Sequence, residues 1–102
     1  MIFVHVPESH VEQVKDAMFA AGAGKIANYS CCSWQAKGEA QFIPEVGSNP
    51  YIGKIGVIEK VVEYKIHTVC ANAKEVKAVV AAIKKAHPYE VPAYGVIKLE
   101  DF

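Results

Sequence analysis

The sequence predicts an α+β fold, a ferredoxin-like sandwich in which a four-stranded antiparallel sheet carries two helices on one face. Two segments show apolar residues at three- and four-residue spacing, whereas four others show alternation or a short apolar run. These segments follow the order βαββαβ with no internal repeat and no linker, and 102 residues suffice for one core. We therefore expect a single domain over residues 1–102, with one sheet face left open by the two helices.

The N-terminal fifth of the chain predicts one strand and one helix. Residues 2–6 form a nearly continuous apolar run, which is typical of a buried strand. Ser9 and Glu12 have the spacing of a capping box, so we expect the helix to begin there. The helix ends near Ala21 because residues 22–24 (GAG) supply the glycines that favour a left-handed C-cap.

The middle of the chain alternates with a period of two. Apolar residues within residues 32–42 share one face, which predicts a long, half-buried strand that bends near Gly38. Residues 43–58, called the excursion below, are rich in glycine and proline and predict irregular structure. Alternation resumes over residues 60–70, where the apolar face consists of Val62, Tyr64 and Ile66.

The C-terminal part predicts a second helix and a last strand. Asn72 and Glu75 form a second candidate capping box, and the helix ends at His87 because a residue before proline avoids helical geometry. The helix buries an apolar stripe formed by Val76, Val79, Val80 and Ile83. Apolar and aromatic side chains around Tyr94 and Val96, in the last strand, suggest that a partner chain covers the open sheet face.

Charge and composition exclude several classes of function. Eleven lysines balance eleven acidic residues and no arginine is present, so we expect no nucleic-acid partner. No apolar run approaches the length that crosses a bilayer, and the N-terminus does not resemble a signal peptide, so we expect no membrane partner. Three cysteines, two of them adjacent, predict free thiols and a cytoplasmic location.

Three short segments carry a resemblance to a known family. They are residues 22–30 (GAGKIANYS), residues 47–53 (GSNPYIG) and residues 87–94 (HPYEVPAY). Their order and spacing resemble the insert domain of YqfO-type members of the NIF-three-like family, here as a free-standing chain. The third segment is also similar to the corresponding turn of CutA proteins.

This resemblance implies a PII/CutA-like ferredoxin fold and trimers that close over the open sheet face. It also implies that the two-metal site of the larger relatives lies in a part that this chain lacks. We therefore predict no catalytic residue and no enzymatic activity for the chain alone.

Two segments are the predicted functional surfaces: the excursion and the turn formed by residues 87–92. A long irregular segment in a small domain is usually functional or disordered. In PII-like proteins the equivalent connection contacts effectors, whereas the CutA comparison favours an arm that braces a neighbouring subunit, and both alternatives stay open. The turn is either a rigid one held by a buried tyrosine or a small-ligand site. The candidate ligand or interface residues are Tyr29, Asn49, Pro50, Tyr51, Gly53, Glu63, His87, Tyr89 and Glu90.

The predicted function is that of a non-enzymatic, oligomeric regulatory or small-ligand-sensing module that assembles as a homotrimer. Histidines and cysteines lack the paired spacing of metal ligands, so we expect no bound metal and no other cofactor. Two alternatives stay open, an accessory subunit of a separately encoded partner and a CutA-like protein that binds divalent metal. The metal site of the second alternative would use Cys32, His67 and His87, brought together by assembly.

Overall fold

The computed structural model describes residues 1–102 and contains four strands and two α-helices. A short 3-10 helix, Glu8–His10, joins the first strand to the first α-helix. The elements in chain order are β1 (Ile2–Pro7), α1 (Val11–Ala20), β2 (Trp34–Phe42), β3 (Glu59–Thr68), α2 (Ala73–Ala86) and β4 (Tyr94–Val96). The predicted order βαββαβ is confirmed.

The four strands form one sheet in the order β2-β3-β1-β4, and every neighbouring pair is antiparallel. Val4 of β1 marks the centre of the sheet, because it pairs with Ile66 on one side and with Tyr94 on the other. The two α-helices pack against each other and share one apolar core with β1 and β3. The predicted ferredoxin-like sandwich is therefore confirmed.

The core lies between the helices and one face of the sheet. Each helix contributes residues at three- or four-residue spacing, and β1 contributes every second residue, as the two periodicities require. Burying each large apolar side chain contributes roughly 1.5–3 kcal/mol. The buried residues are Ile2, Val4, Val6, Val11, Val14, Met18, Ala23, Ile66, Val79 and Ile83. Neither α-helix combines the length and the apolar character that crossing a membrane requires.

The two predicted capping boxes have different outcomes. At α2 the N-cap half is confirmed, because the Asn72 side chain accepts a hydrogen bond of 2.9 Å from the Glu75 N–H, whereas the Glu75 carboxylate accepts from the N–H of Ala71 at 3.0 Å and not from that of Asn72. At α1 it is wrong, since the 3-10 turn already includes Ser9 and the helix begins two residues later. The Ser9 hydroxyl instead bonds to Nδ1 of His10 at 2.8 Å, and Glu12 pairs with Lys15 at 3.3 Å.

The glycine stop after α1 is confirmed. Gly24 has a φ of +82°, and a Cβ at this position would lie 2.9 Å from the backbone nitrogen of Cys32. Its N–H donates to the carbonyl oxygen of Val69 at 2.9 Å, so the backbone approaches closely on two sides. Only glycine combines this conformation with this lack of space.

The side chains of β4 do not lie on the sheet face where the sequence predicted them. Tyr94 and Val96 pair with Val4 and Ile2, which are core residues, so their side chains lie on the helix face. Nζ of Lys84 in α2 lies 5.7 Å from the ring centroid of Tyr94. The prediction that Tyr94 and Val96 mark the open face is therefore wrong. A strand of three residues is too short for its alternation to indicate which face is buried.

The apolar face of β2 contributes to the open sheet face. Trp34 pairs with His67, which alternates with the core residue Ile66, so both lie on the side away from the helices. Gln35 lies on the helix side, where its Oε1 accepts a hydrogen bond of 3.1 Å from Lys15. The predicted period of two is confirmed. The strand begins at Trp34, two residues later than predicted, and Trp34 is 56% exposed.

Candidate ligand-binding cleft

A cleft of about 560 Å³ lies beside the end of β2. Its floor comes from the open face of the sheet, and its walls come from the excursion and from the turn after α2. The volume lies within the range of roughly 300–1,000 Å³ that is usual for small-molecule sites. The polar residues that line it are His5, Glu39, Gln41, Ser48, Glu63 and Glu90, in addition to the tyrosines described below.

A single hydrogen bond joins the two walls of the cleft. The backbone N–H of Asn49 in the excursion donates to Oε2 of Glu90 in the turn at 3.0 Å. The excursion also closes on itself, because the Gly56 N–H donates to the carbonyl oxygen of the buried Pro44 at 2.7 Å. The excursion therefore folds back over the domain, and the cleft lies beneath it.

Aromatic rings form one side of the cleft around Tyr89. The ring centroid of Tyr89 lies 6.1 Å from that of Phe42 and 6.3 Å from that of Tyr51. Tyr51 also contacts His10 edge-on at 5.8 Å, although 55% of its surface stays exposed. Tyr51 therefore has partners within its own chain and still presents an accessible ring.

Glu63 lies on the floor of the cleft and is only 7% exposed. It alternates with Tyr64 and Ile66 along β3, so its side chain projects from the open face. No cation pairs with its carboxylate, since the single ion pair of the chain joins Lys15 to Glu12.

The hydroxyl of Tyr89 is buried and makes no well-formed hydrogen bond, but the carboxylate of Glu63 lies beside it as the available acceptor. Burial is the main cause that raises the pKa of Tyr89 far above its ordinary value, and the carboxylate of Glu63 adds to it, first as a hydrogen-bond acceptor and then through its negative charge. The hydroxyl therefore stays protonated at physiological pH. A buried hydroxyl and a carboxylate that pairs with no cation are thus close together in the cleft.

His87 holds the turn and does not line the cleft. Its Nε2 donates to the carbonyl oxygen of His5 at 2.7 Å, and its Nδ1 accepts from the Tyr89 N–H at 3.1 Å. An accepting Nδ1 carries no proton, so both bonds require the neutral ring. Burial lowers the pKa of His87, although the bond to His5 and the charge of Glu63 oppose this effect.

The structure brings most of the candidate residues together. The cleft is lined by Pro50, Tyr51, Glu63, Tyr89 and Glu90, and Asn49 and His87 are bonded to this group. Gly53 lies nearby in the excursion, where an added Cβ would lie 3.4 Å from the side chain of Glu59.

Tyr29 lies apart from these residues. It is 74% exposed and belongs to a separate turn, in which its backbone pairs with Ile26.

The lining residues outside the excursion and the turn, apart from Glu63, were not predicted as site residues: His5, Glu39, Ala40, Gln41, Phe42 and Ala93. His5 alternates with the core residues Val4 and Val6 in β1, so a polar residue there indicates the open face. That signal was present in the sequence. Glu39 carries no comparable signal, because any exposed strand position accepts a glutamate.

The three residues of the metal alternative are not brought together within one chain. The His67 ring contacts Trp34 at 5.0 Å between centroids, and Sγ of Cys32 donates to the Ser30 carbonyl at 3.8 Å. Both ring nitrogens of His87 bond to backbone groups. No cluster of three histidine, cysteine, aspartate or glutamate side chains has the geometry of a metal site.

Similarity to known proteins covers nearly the whole chain. The chain is 49% identical over 98 residues to the "GTP cyclohydrolase 1 type 2 homolog" of Halalkalibacterium halodurans, covering 96% of this chain and 26% of the relative. The homologs of Mycobacterium leprae and Bacillus subtilis are 46% and 42% identical, covering 94% and 95% of this chain and 25% and 26% of the relatives. The chain thus spans about a quarter of the length of these relatives. No protein-family model matches it.

Comparison with solved structures points to the same group of proteins as these relatives. A Bacillus cereus protein related to NIF3 superposes with a TM-score of 0.83 at 38% identity, over 98% of this chain and 25% of that protein. The periplasmic divalent cation tolerance protein CutA of Archaeoglobus fulgidus superposes with a TM-score of 0.68 at 18% identity, over 99% of this chain and 83% of CutA. The fold is therefore that of a PII/CutA-like domain. More particularly, this chain is a PII/CutA-like domain of the type found in NIF-three-like, YqfO-type proteins.

Proposed function

We propose that this chain is a non-enzymatic regulatory module of the cytoplasm, which assembles as a homotrimer and senses a small ligand in the cleft. The observation that carries the proposal is the hydrogen bond between Asn49 and Glu90, because it builds one site from segments that are 41 residues apart. A ligand in this cleft would contact both walls. Its binding would therefore bias the position of the excursion, which is the coupling that a sensor requires.

The charge of the cleft supports a role without GTP turnover, although the relatives carry the name of GTP cyclohydrolase homologs. The side chains of Glu63 and Glu90 line the cleft and no lysine does, so a triphosphate would meet like charge there. A general base needs a free nitrogen or carboxylate within reach of its proton. His87 is engaged at both nitrogens and does not meet this requirement, but Glu63 does, so the repulsion of a triphosphate is what opposes GTP turnover here.

The open sheet face supports assembly. The exposed Trp34 and its partly buried partner His67 form an aromatic pair on this face, and the partly buried Phe3 lies beside them on β1. Exposed apolar surface of this kind often marks an interface. The trimer itself is the state that the resemblance to PII and CutA proteins implies, and the excursion then borders a neighbouring subunit.

Two measurements test this function. Light scattering of the purified chain is expected to report the mass of three chains at micromolar concentration. NMR spectra recorded with small neutral, anionic and cationic probe compounds are expected to show saturable shifts of the Asn49, Tyr51 and Tyr89 amides for at least one probe. A monomer would contradict the trimer, and unchanged amides with every probe would contradict ligand sensing.

A second candidate function follows from the extent of the similarity. The chain corresponds to about a quarter of each relative, so it is also suited to act as an accessory subunit in association with the remainder of such a protein. Pull-down with the purified chain as bait tests this candidate. Recovery of a NIF-three-like protein that lacks this domain would favour it over a module that works alone.

A further inference from the structure

We propose that the cleft binds a small organic cation, whose ammonium group pairs with the carboxylate of Glu63 and whose apolar body packs against Tyr51 and Tyr89. This inference rests on the proposed ligand-sensing function and names the class of ligand. It is carried by one buried carboxylate without a cationic partner and by the groups that surround it.

Glu63 is the first of these observations. More than nine-tenths of the residue is buried, it lines the cleft, and no lysine lies within ion-pair distance of its carboxylate. The neighbouring lysine on the same strand, Lys65, instead places its Nζ 5.0 Å from the ring centroid of Phe3. A buried charge without a partner is unfavourable, so a cation that enters the cleft would offset this cost.

The remaining charges of the cleft have the same sign. Glu90 also lines it, whereas the side chain of Glu39 projects to the helix side because Glu39 pairs with Val62, and the only basic side chain in the lining is His5. Such a cleft attracts cations and disfavours anions by simple electrostatics. A metal ion fits less well than an organic cation, because the lining carboxylates and His5 do not form a metal-ligand cluster.

Tyr89 matches the same ligand in two ways. Its buried hydroxyl oxygen accepts no hydrogen bond, and an ammonium group offers three donors, enough for this oxygen and for Glu63. Its ring, together with those of Phe42 and Tyr51, presents aromatic surface beside the carboxylate. Aromatic faces near a carboxylate are a recurrent arrangement for binding organic ammonium groups. The volume of about 560 Å³ leaves room for an apolar body.

An NMR titration of the full chain with three probes of similar shape tests the proposal. Benzylammonium is expected to shift the amides of Tyr51, Glu63 and Tyr89 saturably, with an affinity at least about tenfold above that of benzyl alcohol. Benzoate is expected to leave these amides unchanged. The comparison isolates the charge, because the ring is common to all three probes.

Variants assign the effect to one carboxylate. Glu63→Gln keeps the size of the side chain and removes its charge, so benzylammonium affinity should fall about tenfold while benzyl alcohol binding stays the same. Glu100→Gln, which removes an exposed carboxylate outside the cleft, is the matched control and should leave both affinities unchanged. Circular dichroism shows whether each variant keeps its fold.

The other outcomes separate this inference from the function on which it rests. Equal or tighter binding of benzyl alcohol or benzoate at the same amides would overturn the cation and leave ligand sensing intact. Absence of saturable shifts with all three probes would overturn both. If benzylammonium does not bind and Glu63→Gln dissociates the oligomer, the partner of Glu63 is a second copy of this chain, and the proposed ligand is wrong.

Discussion

His87 and His5 are 82 residues apart in the chain, and a hydrogen bond of 2.7 Å joins the Nε2 of the first to the carbonyl oxygen of the second. The other ring nitrogen accepts the N–H of Tyr89 at 3.1 Å. One neutral imidazole therefore fixes the turn after α2 onto β1, and this turn carries both Tyr89 and Glu90 into the cleft.

Stability should depend on pH through His87. Burial lowers the pKa of this ring below the ordinary histidine value of about 6.5, although Glu63 opposes the shift and His10 adds to it. Below about pH 6.5 the unfolded chain binds a proton that the native state binds only at lower pH. The contribution of His87 is therefore complete above pH 6.5 and is lost as the pH falls through the lower, native value.

Urea denaturation at a series of pH values measures this loss as a falling free energy of unfolding. The variant His87→Gln lacks the titrating ring at this position, so its free energy of unfolding should fall less steeply below pH 6.5. His67→Gln is the control, because His67 lies on the exposed open face and should leave the slope near that of the unmodified protein. Equal slopes for His87→Gln and the unmodified protein would contradict the neutral, buried ring.

Tyr89→Phe should leave the free energy of unfolding unchanged or raise it slightly. The hydroxyl is buried without a partner, so removing it removes an unsatisfied polar group and keeps the ring contacts with Phe42 and His87. Urea denaturation measures the change, with the exposed Tyr29→Phe as the control. A loss of more than about 1 kcal/mol would show that the hydroxyl bonds to Glu63 in solution.

The sequence predicted the element order and the core because both follow from local periodicity. Val11, Val14 and Met18 are buried at helical spacing, and Val79 and Ile83 continue the same pattern in α2. Periodicity within one strand, however, separates two faces without indicating which face meets the helices. The side on which Tyr94 lies is set by its pairing with Val4, a contact between residues 90 positions apart.

The candidate site was predicted less completely because it, too, depends on contacts between distant parts of the chain. A tyrosine and a glutamate in the turn after α2 suggested a site, but the bond from Glu90 to Asn49 depends on the path of the excursion. The Ser9 capping box failed because three residues before α1 form a 3-10 turn, a choice that residues 9–12 alone do not determine. Sequence spacing thus identified candidate site residues, and tertiary contacts determine which of them lie together in the cleft.

Tyr51→Ala should weaken ligand binding or assembly and change stability little. The ring is 55% exposed, so we expect its loss to reduce the free energy of unfolding by about 1 kcal/mol or less. Benzylammonium affinity should fall about threefold, since one aromatic wall is removed. Lys77→Ala, on the exposed side of α2, is the control for both NMR titration and light scattering. If Tyr51→Ala matches the control in both measurements, the excursion is only a connector.

Glu90→Ala should release the excursion from the turn without unfolding the domain. The Asn49 N–H would lose its only hydrogen-bond acceptor, so its hydrogen exchange should become several-fold faster. The Ser48 N–H donates to the Glu45 carbonyl oxygen at 3.0 Å within the same excursion, which makes its exchange rate an internal control. Faster exchange at Asn49 alone would assign to Glu90 the coupling of the two walls. Unchanged exchange at Asn49 would show that other contacts hold the excursion. The hydrogen bond between Asn49 and Glu90 would then not couple the two walls of the cleft, as the proposed sensing requires.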